Sequence, residues 1–161
     1  MSPQPSSFPG QKNPPLKAAL LYSSQHGKTR KVVAQVVKEL WIAPEVFDVA
    51  NGVDHATLAA CDLLLFFTPT YGDEELHEDM ENFLANFNVN LSTRCFVICE
   101  LGNYYGYDFA FGAMPILRRR LLELNGTELC TPLSLDSLPK LNWAHLTRWI
   151  DHVNQALHER F

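Results

Sequence analysis

The chain has no feature of a metal protein, a disulfide scaffold or a membrane span. Its four cysteines, Cys61, Cys95, Cys99 and Cys130, are scattered without a C-x-x-C pair, which argues against a zinc cage or a bridged framework and for small buried hydrophobes. The six histidines form no H-x-x-H or H-E-x-x-H cluster, so no metal site is expected. No apolar run approaches the ~20 residues that cross a bilayer. Positive charge is short: 13 Lys and Arg against 18 Asp and Glu leave a net charge of −5, which disfavours nucleic acid or an anionic membrane as partner. A charged-then-apolar leader layout is missing from the first residues, and the expected location is cytoplasmic. Two glycine signatures are missing too. The dinucleotide fingerprint G-x-G-x-x-G is absent, and a nucleotide P-loop ending in Gly27-Lys28-Thr29 would need glycine where Tyr22 stands. A cysteine phosphatase loop would need a thiolate six residues before Arg30, and that residue is Ser24.

What is present is an ordinary core-forming composition, 47% hydrophobic and 19% charged over 161 residues, enough for one domain. Residues 1–15 hold five prolines with no periodicity and read as a flexible tail before a domain spanning 16–161. Beyond them the pattern alternates. Strands are expected at Lys17–Tyr22, Glu45–Val49, Leu63–Thr68, Arg94–Leu101 and Thr127–Leu135, and helices at Lys28–Leu40, Asp54–Ala60, Leu76–Phe87, Asp108–Leu124 and Leu141–Glu159. Leu63 to Phe67 are apolar at every position, as in a central strand covered on both faces. Asn125-Gly126 supplies a helix stop, and Pro115 suits its helix only near a start. Trp41, Trp143 and Trp149 are expected to face the core, and Arg118, Arg119 and Arg120 to form a solvated face. Five βα units in a row imply an α/β, doubly wound, five-stranded parallel sheet. In such a sheet ligands bind beyond the carboxyl ends of the strands.

Three loops should therefore converge. After strand one comes Ser23-Ser24-Gln25-His26-Gly27-Lys28-Thr29, which sets hydroxyls and free backbone N–H groups at a helix N-terminus, where partial positive charge favours a phosphate. A plain strand-to-helix turn with incidental hydroxyls would have the same letters. The loops after strands three and four, Thr68-Pro69-Thr70-Tyr71-Gly72-Asp73 and Gly102-Asn103-Tyr104-Tyr105-Gly106-Tyr107-Asp108, put aromatics beside glycines. Packing of those tyrosines on helices accounts for either loop alone as well as binding does. All three loops together fit a flat phosphorylated ligand, its ring between Tyr71 and Tyr107, with stacking worth roughly 0.5–1.5 kcal/mol per pair.

These motifs resemble those of the flavodoxin family, in its short-chain class. The resemblance rests on Ser24-Gln25-His26-Gly27-Lys28-Thr29, Pro69-Thr70-Tyr71-Gly72 and Gly102-Asn103-x-x-Gly106-Tyr107, in that order, with no insertion of about 20 residues in the fifth strand. It implies strand order 2-1-3-4-5, noncovalent FMN and single-electron transfer between a reductase and acceptor enzymes. Ser24, Gln25, His26, Gly27, Lys28 and Thr29 would hold the phosphate. Tyr71 and Tyr107 would sandwich the isoalloxazine, Leu101, Gly102, Asn103 and Tyr104 would meet its pyrimidine edge, and Thr68, Pro69, Thr70, Gly72 and Asp108 would complete the cofactor-binding set. The peptide after Tyr71 would turn toward flavin N5 on one-electron reduction, a flip that Gly72 makes inexpensive. Gln25 and His26 depart from the usual threonines, Lys28, Arg30 and Lys31 add positive charge, and Asn103 stands where aspartate is common.

Asp73, Glu74, Glu75, Glu78, Asp79 and Glu81 form an acidic run beside the expected flavin edge. It reads either as a solvated helix start or as a docking surface for basic redox partners. A monomeric electron carrier is the leading expectation. The alternatives are an FMN-dependent oxidoreductase such as a quinone reductase, and an activator flavodoxin dedicated to one enzyme. A receiver domain, which shares the sheet topology, would need acidic residues where Ser23, Ser24 and Thr68 stand.

Overall fold

A computed structural model describes residues 16–24, 27–71, 75–102, 112–137 and 140–161. The expected tail, residues 1–15, lies outside the described residues. The strands are β1 (Ala18–Tyr22), β2 (Glu45–Asp48), β3 (Leu63–Tyr71), β4 (Glu75–Leu76), β5 (Cys95–Gly102), β6 (Thr127–Glu128) and β7 (Leu133–Asp136). The helices are α1 (Lys28–Glu39), α2 (His55–Ala59), α3 (Glu78–Asn86), α4 (Ala113–Glu123) and α5 (Trp143–Arg160). The parallel strands lie in the order β2-β1-β3-β5, followed by β6 and β7, which both pair with β5. This is the expected doubly wound sheet of order 2-1-3-4-5, its fifth strand in two pieces.

Strand parity builds two apolar layers. Leu20, Leu65, Phe67, Val97, Cys99 and Leu135 face α1 and α5, meeting Val32, Val36, Ile150 and Val153. Leu21, Leu64, Phe66, Phe96 and Ile98 face the other way, meeting Leu58, Met80, Phe83, Leu117 and Leu121 from α2, α3 and α4. Because both faces are covered, the central strands carry apolar residues at every position instead of alternating.

Several boundaries differ from expectation for identifiable reasons. Leu76 does not start a helix; with Glu75 it forms an antiparallel pair with Thr70 and Tyr71, which prolongs β3 past Thr68. The fifth strand breaks because Glu128 faces Phe96 and Leu133 faces Cys99, leaving it two residues more than its neighbour between the same rungs. Pro132, with no N–H to give, falls in that break. Pro115 is tolerated since α4 starts at Ala113, so the proline lies in a first turn that lacks intrahelical acceptors anyway. That helix ends in a Schellman motif, with Gly126 N–H donating to Leu121 O at 3.0 Å and Asn125 N–H to Leu122 O at 2.9 Å. The left-handed residue is Asn125, φ 74°. Gly126 is needed instead for space, since a Cβ there would lie 2.9 Å from the Phe96 ring.

Trp149 is 5% exposed and meets Phe67 edge-on, as expected for a core residue. Trp41 and Trp143 are not in the core; each is 43% exposed, at or just past a helix end where no layer covers them. Arg119 is exposed, but the other two arginines of α4 are less free than a solvated face implies. Arg118 bonds both Glu128 carboxylate oxygens at 3.0 and 3.1 Å, and Arg120 donates to Phe87 O at 2.8 Å.

Candidate functional site

The carboxyl ends of β1, β3, β5 and β7 lie side by side, and the turn into α1 opens beside them. Gly27 caps α1 in the left-handed region, φ 85° and ψ −5°, with no side-chain cap. Its N–H donates to Ser24 Oγ at 3.2 Å, which folds the loop back on itself. The first intrahelical bond runs from Lys31 N–H to Gly27 O at 3.1 Å. The amides of Lys28, Thr29 and Arg30 thus precede any intrahelical acceptor and point out of the helix start. Among the described residues, a Cβ placed on Gly27 would meet nothing within 4 Å. Open amides, adjacent hydroxyls and the positive end of a helix dipole form a donor set suited to the phosphate of the FMN that the resemblance implies.

Two of the positive side chains near this loop, Lys28 and Arg30, have partners of their own, while Lys31 is exposed. Lys28 Nζ donates to Ser137 O at 3.1 Å, tying α1 to the end of β7. The Arg30 guanidinium lies 4.0 Å from Asp48. A hydrogen bond and a charge interaction with Tyr22, and least of all the Asp48 charge, hold it further toward its charged form. Thr29 is buried against the sheet.

Thr68, Pro69 and Thr70, expected in a loop, belong to β3, because parallel pairing with β5 continues to Pro69 and Leu101. Gly102 likewise completes β5, where its carbonyl accepts from the Ser137 N–H at 2.8 Å and the Ser137 hydroxyl at 3.2 Å. Ser23 Oγ and Thr68 Oγ1 are 2.8 Å apart and buried, joining β1 to β3. The structure therefore brings Ser24, Gly27, Lys28, Thr29, Thr68, Pro69, Thr70, Leu101 and Gly102 to one edge of the sheet. Gln25, His26, Gly72, Asn103, Tyr104, Tyr107 and Asp108 lie outside the described residues, as does the side chain of Tyr71. In the acidic run, Glu78 and Glu81 are exposed and Asp79 is half-buried in the first turn of α3. Asp73, Glu74 and the side chain of Glu75 are outside the described residues.

Sequence reasoning passed over Glu100, which is 0% exposed in β5. Its signal was a lone carboxylate within a strand of otherwise apolar residues, after Cys95 to Cys99 and before Leu101, in a sheet covered on both faces.

The chain matches the family model described as Flavodoxin domain over residues 19–103. No curated protein matches it significantly. Among solved structures, the flavodoxin of Fusobacterium nucleatum bound to flavin mononucleotide is 18% identical with a TM-score of 0.76, over 90% of this chain and 98% of that one. Oxidised Flavodoxin 1 from Bacillus cereus is 19% identical with a TM-score of 0.72, over 90% and 99% of the two chains. A short-chain flavodoxin associated with a non-canonical PDU bacterial microcompartment is 14% identical with a TM-score of 0.73, over 87% and 97%. At these identities the likeness is one of fold.

Proposed function

The chain belongs to the flavodoxin-domain family, and on that premise we propose that it binds FMN noncovalently and carries electrons between redox proteins. The observation that carries this reading is the uncapped start of α1, with its left-handed Gly27 and open first-turn amides at the same sheet edge as the ends of β3 and β5. When bound, FMN supplies chemistry that passes electrons singly or in pairs. The work of this chain is to hold it. The amides of Lys28, Thr29 and Arg30 and the hydroxyl of Ser24, with Gln25 and His26, take the phosphate. Neutral dipoles lead in this, since the Lys28 ammonium is held toward the Ser137 carbonyl and the Arg30 guanidinium lies toward Asp48. Tyr71 and Tyr107 flank the ring. Thr68, Pro69, Thr70, Gly72, Leu101, Gly102, Asn103, Tyr104 and Asp108 line its edges and exclude water.

The acidic run from Asp73 to Glu81 is the docking surface. Its charges stand beside the ring edge and draw in basic partners, so encounter is fast at low salt. The protein works as a monomer and as a carrier. Among the described residues no helix is long and apolar enough to cross a membrane. The experiment is spectroscopic and kinetic together. Purified protein should show flavin absorption bands that acid releases, and it should pass electrons from a reductase to an acceptor protein. Turnover of a quinone with NAD(P)H and this protein alone would make it an FMN-dependent oxidoreductase instead.

A further inference from the structure

Glu100 occupies a place where an apolar side chain would be simpler. It shares strand parity with Phe96 and Ile98, which face the layer of α3 and α4. Burying a carboxylate there carries a large desolvation penalty unless hydrogen bonds meet it. They do, from three elements. Its Oε1 accepts from Thr70 Oγ1 at 3.1 Å and from Met114 N–H at 2.8 Å, and its Oε2 accepts from Ser134 Oγ at 2.5 Å. Thr70 Oγ1 in turn accepts from Ala113 N–H at 3.3 Å. Helix α4 has no cap of its own, because Gly112 offers no side chain. A threonine on β3 and a glutamate on β5 cap it from across the sheet edge, with the carboxylate at the positive end of the helix. The fit is close: a Cβ on Gly112, at φ 96°, would lie 2.5 Å from Thr70 Cγ2.

The elements joined are those that frame the ring. Thr70 immediately precedes Tyr71, and α4 follows the segment that holds Asn103, Tyr104 and Tyr107. We infer that Glu100 is a positioning residue for the flavin ring, fixing the end of β3 against the start of α4 so that the two loops keep their spacing. The inference rests on the FMN reading above.

The test compares Glu100→Gln and Glu100→Leu with Val153→Ala, which opens a cavity in the opposite layer. Each protein is measured for FMN affinity by fluorescence quenching, for visible circular dichroism of the bound flavin, and for melting temperature. Glutamine keeps an oxygen for Met114 and Thr70 and turns its amide to the Ser134 hydroxyl, so affinity should stay within about threefold of wild type. Leucine withdraws the acceptor from three partly buried donors, so affinity should fall by at least about tenfold and the dichroism bands should change. Val153→Ala should lower the melting temperature while leaving affinity and dichroism alone. Should the leucine variant fail to fold, Glu100→Asp keeps the charge but withdraws it by one methylene, and the same weakening is expected. Wild-type affinity and dichroism in the leucine or aspartate variant would overturn the inference. So would equal losses in glutamine and leucine, since charge rather than geometry would then be at work. If wild-type protein itself takes no FMN, the functional reading fails and this inference with it; an indifferent variant beside a binding wild type sinks only the role of Glu100.

Discussion

Replacing Gly27 by alanine probes the phosphate turn directly. Gly27 sits at φ 85°, in the left-handed region, where a Cβ crowds the chain's own carbonyl and costs a non-glycine residue about 1–2 kcal/mol. Among the described residues no outside clash adds to this, because a Cβ there would meet nothing within 4 Å. The penalty is therefore one of backbone alone, and it falls in one of two places. If the empty turn keeps its shape, it lowers folding stability by about 1–2 kcal/mol and FMN affinity is unchanged. If the empty turn relaxes, stability holds and FMN must restore the strained form, which weakens binding by about 5- to 30-fold. Denaturant melts without FMN and with saturating FMN, combined with a fluorescence titration, close the cycle, and the two losses together should reach about 1–2 kcal/mol. Gly27→Asn should recover part of the loss, since asparagine enters this region more readily. An alanine variant equal to wild type in both stability and affinity would refute the reasoning.

Asn103→Asp adds a negative charge near the flavin and should make the potential of the second one-electron reduction more negative; an unchanged or raised potential in a spectroelectrochemical titration would contradict this. The acidic run should make reduction by a basic reductase slow as ionic strength rises, and Glu78→Lys with Asp79→Lys should lower the low-salt rate by at least about threefold. A rate indifferent to salt in stopped-flow mixing would count against docking there. Burial, and then the Glu128 charge, push the Cys130 thiol up to about 11, so its alkylation by iodoacetamide should climb about tenfold per pH unit across the alkaline range. In the unfolded chain this thiol ionises near pH ~8.5. Between there and about 11 the folded state binds the extra proton, so stability falls as pH rises. Cys130→Ala should lose less stability across that window in denaturant melts; an equal loss would show that the thiol is not responsible.

Much of the fold could be read from the letters because both faces of the sheet are covered. The unbroken apolar runs of β3 and β5 mark central strands, and the valines of α1 mark its inner face. The turn at Gly27 was legible as well, since a lone glycine between hydroxyl residues and a helical pattern has few other uses. Harder to read were features set by neighbours distant in sequence. Thr68 to Tyr71 look like a loop, yet pairing with β5 and β4 extends the strand through them. Trp41 and Trp143 carry core-like side chains but fall where helices have run past the layers. Glu100 is the plainest case: its role depends on Thr70, Met114 and Ser134, and no local pattern announces three donors arriving from elsewhere.

The central claim is tested most directly by titrating the purified protein with FMN and, separately, with riboflavin, following the quenching of flavin fluorescence. One FMN per chain should bind at micromolar concentrations or below, and riboflavin distinctly more weakly, because the start of α1 takes hold of the phosphate. Failure to bind FMN, or equal affinity for the two, would contradict the account.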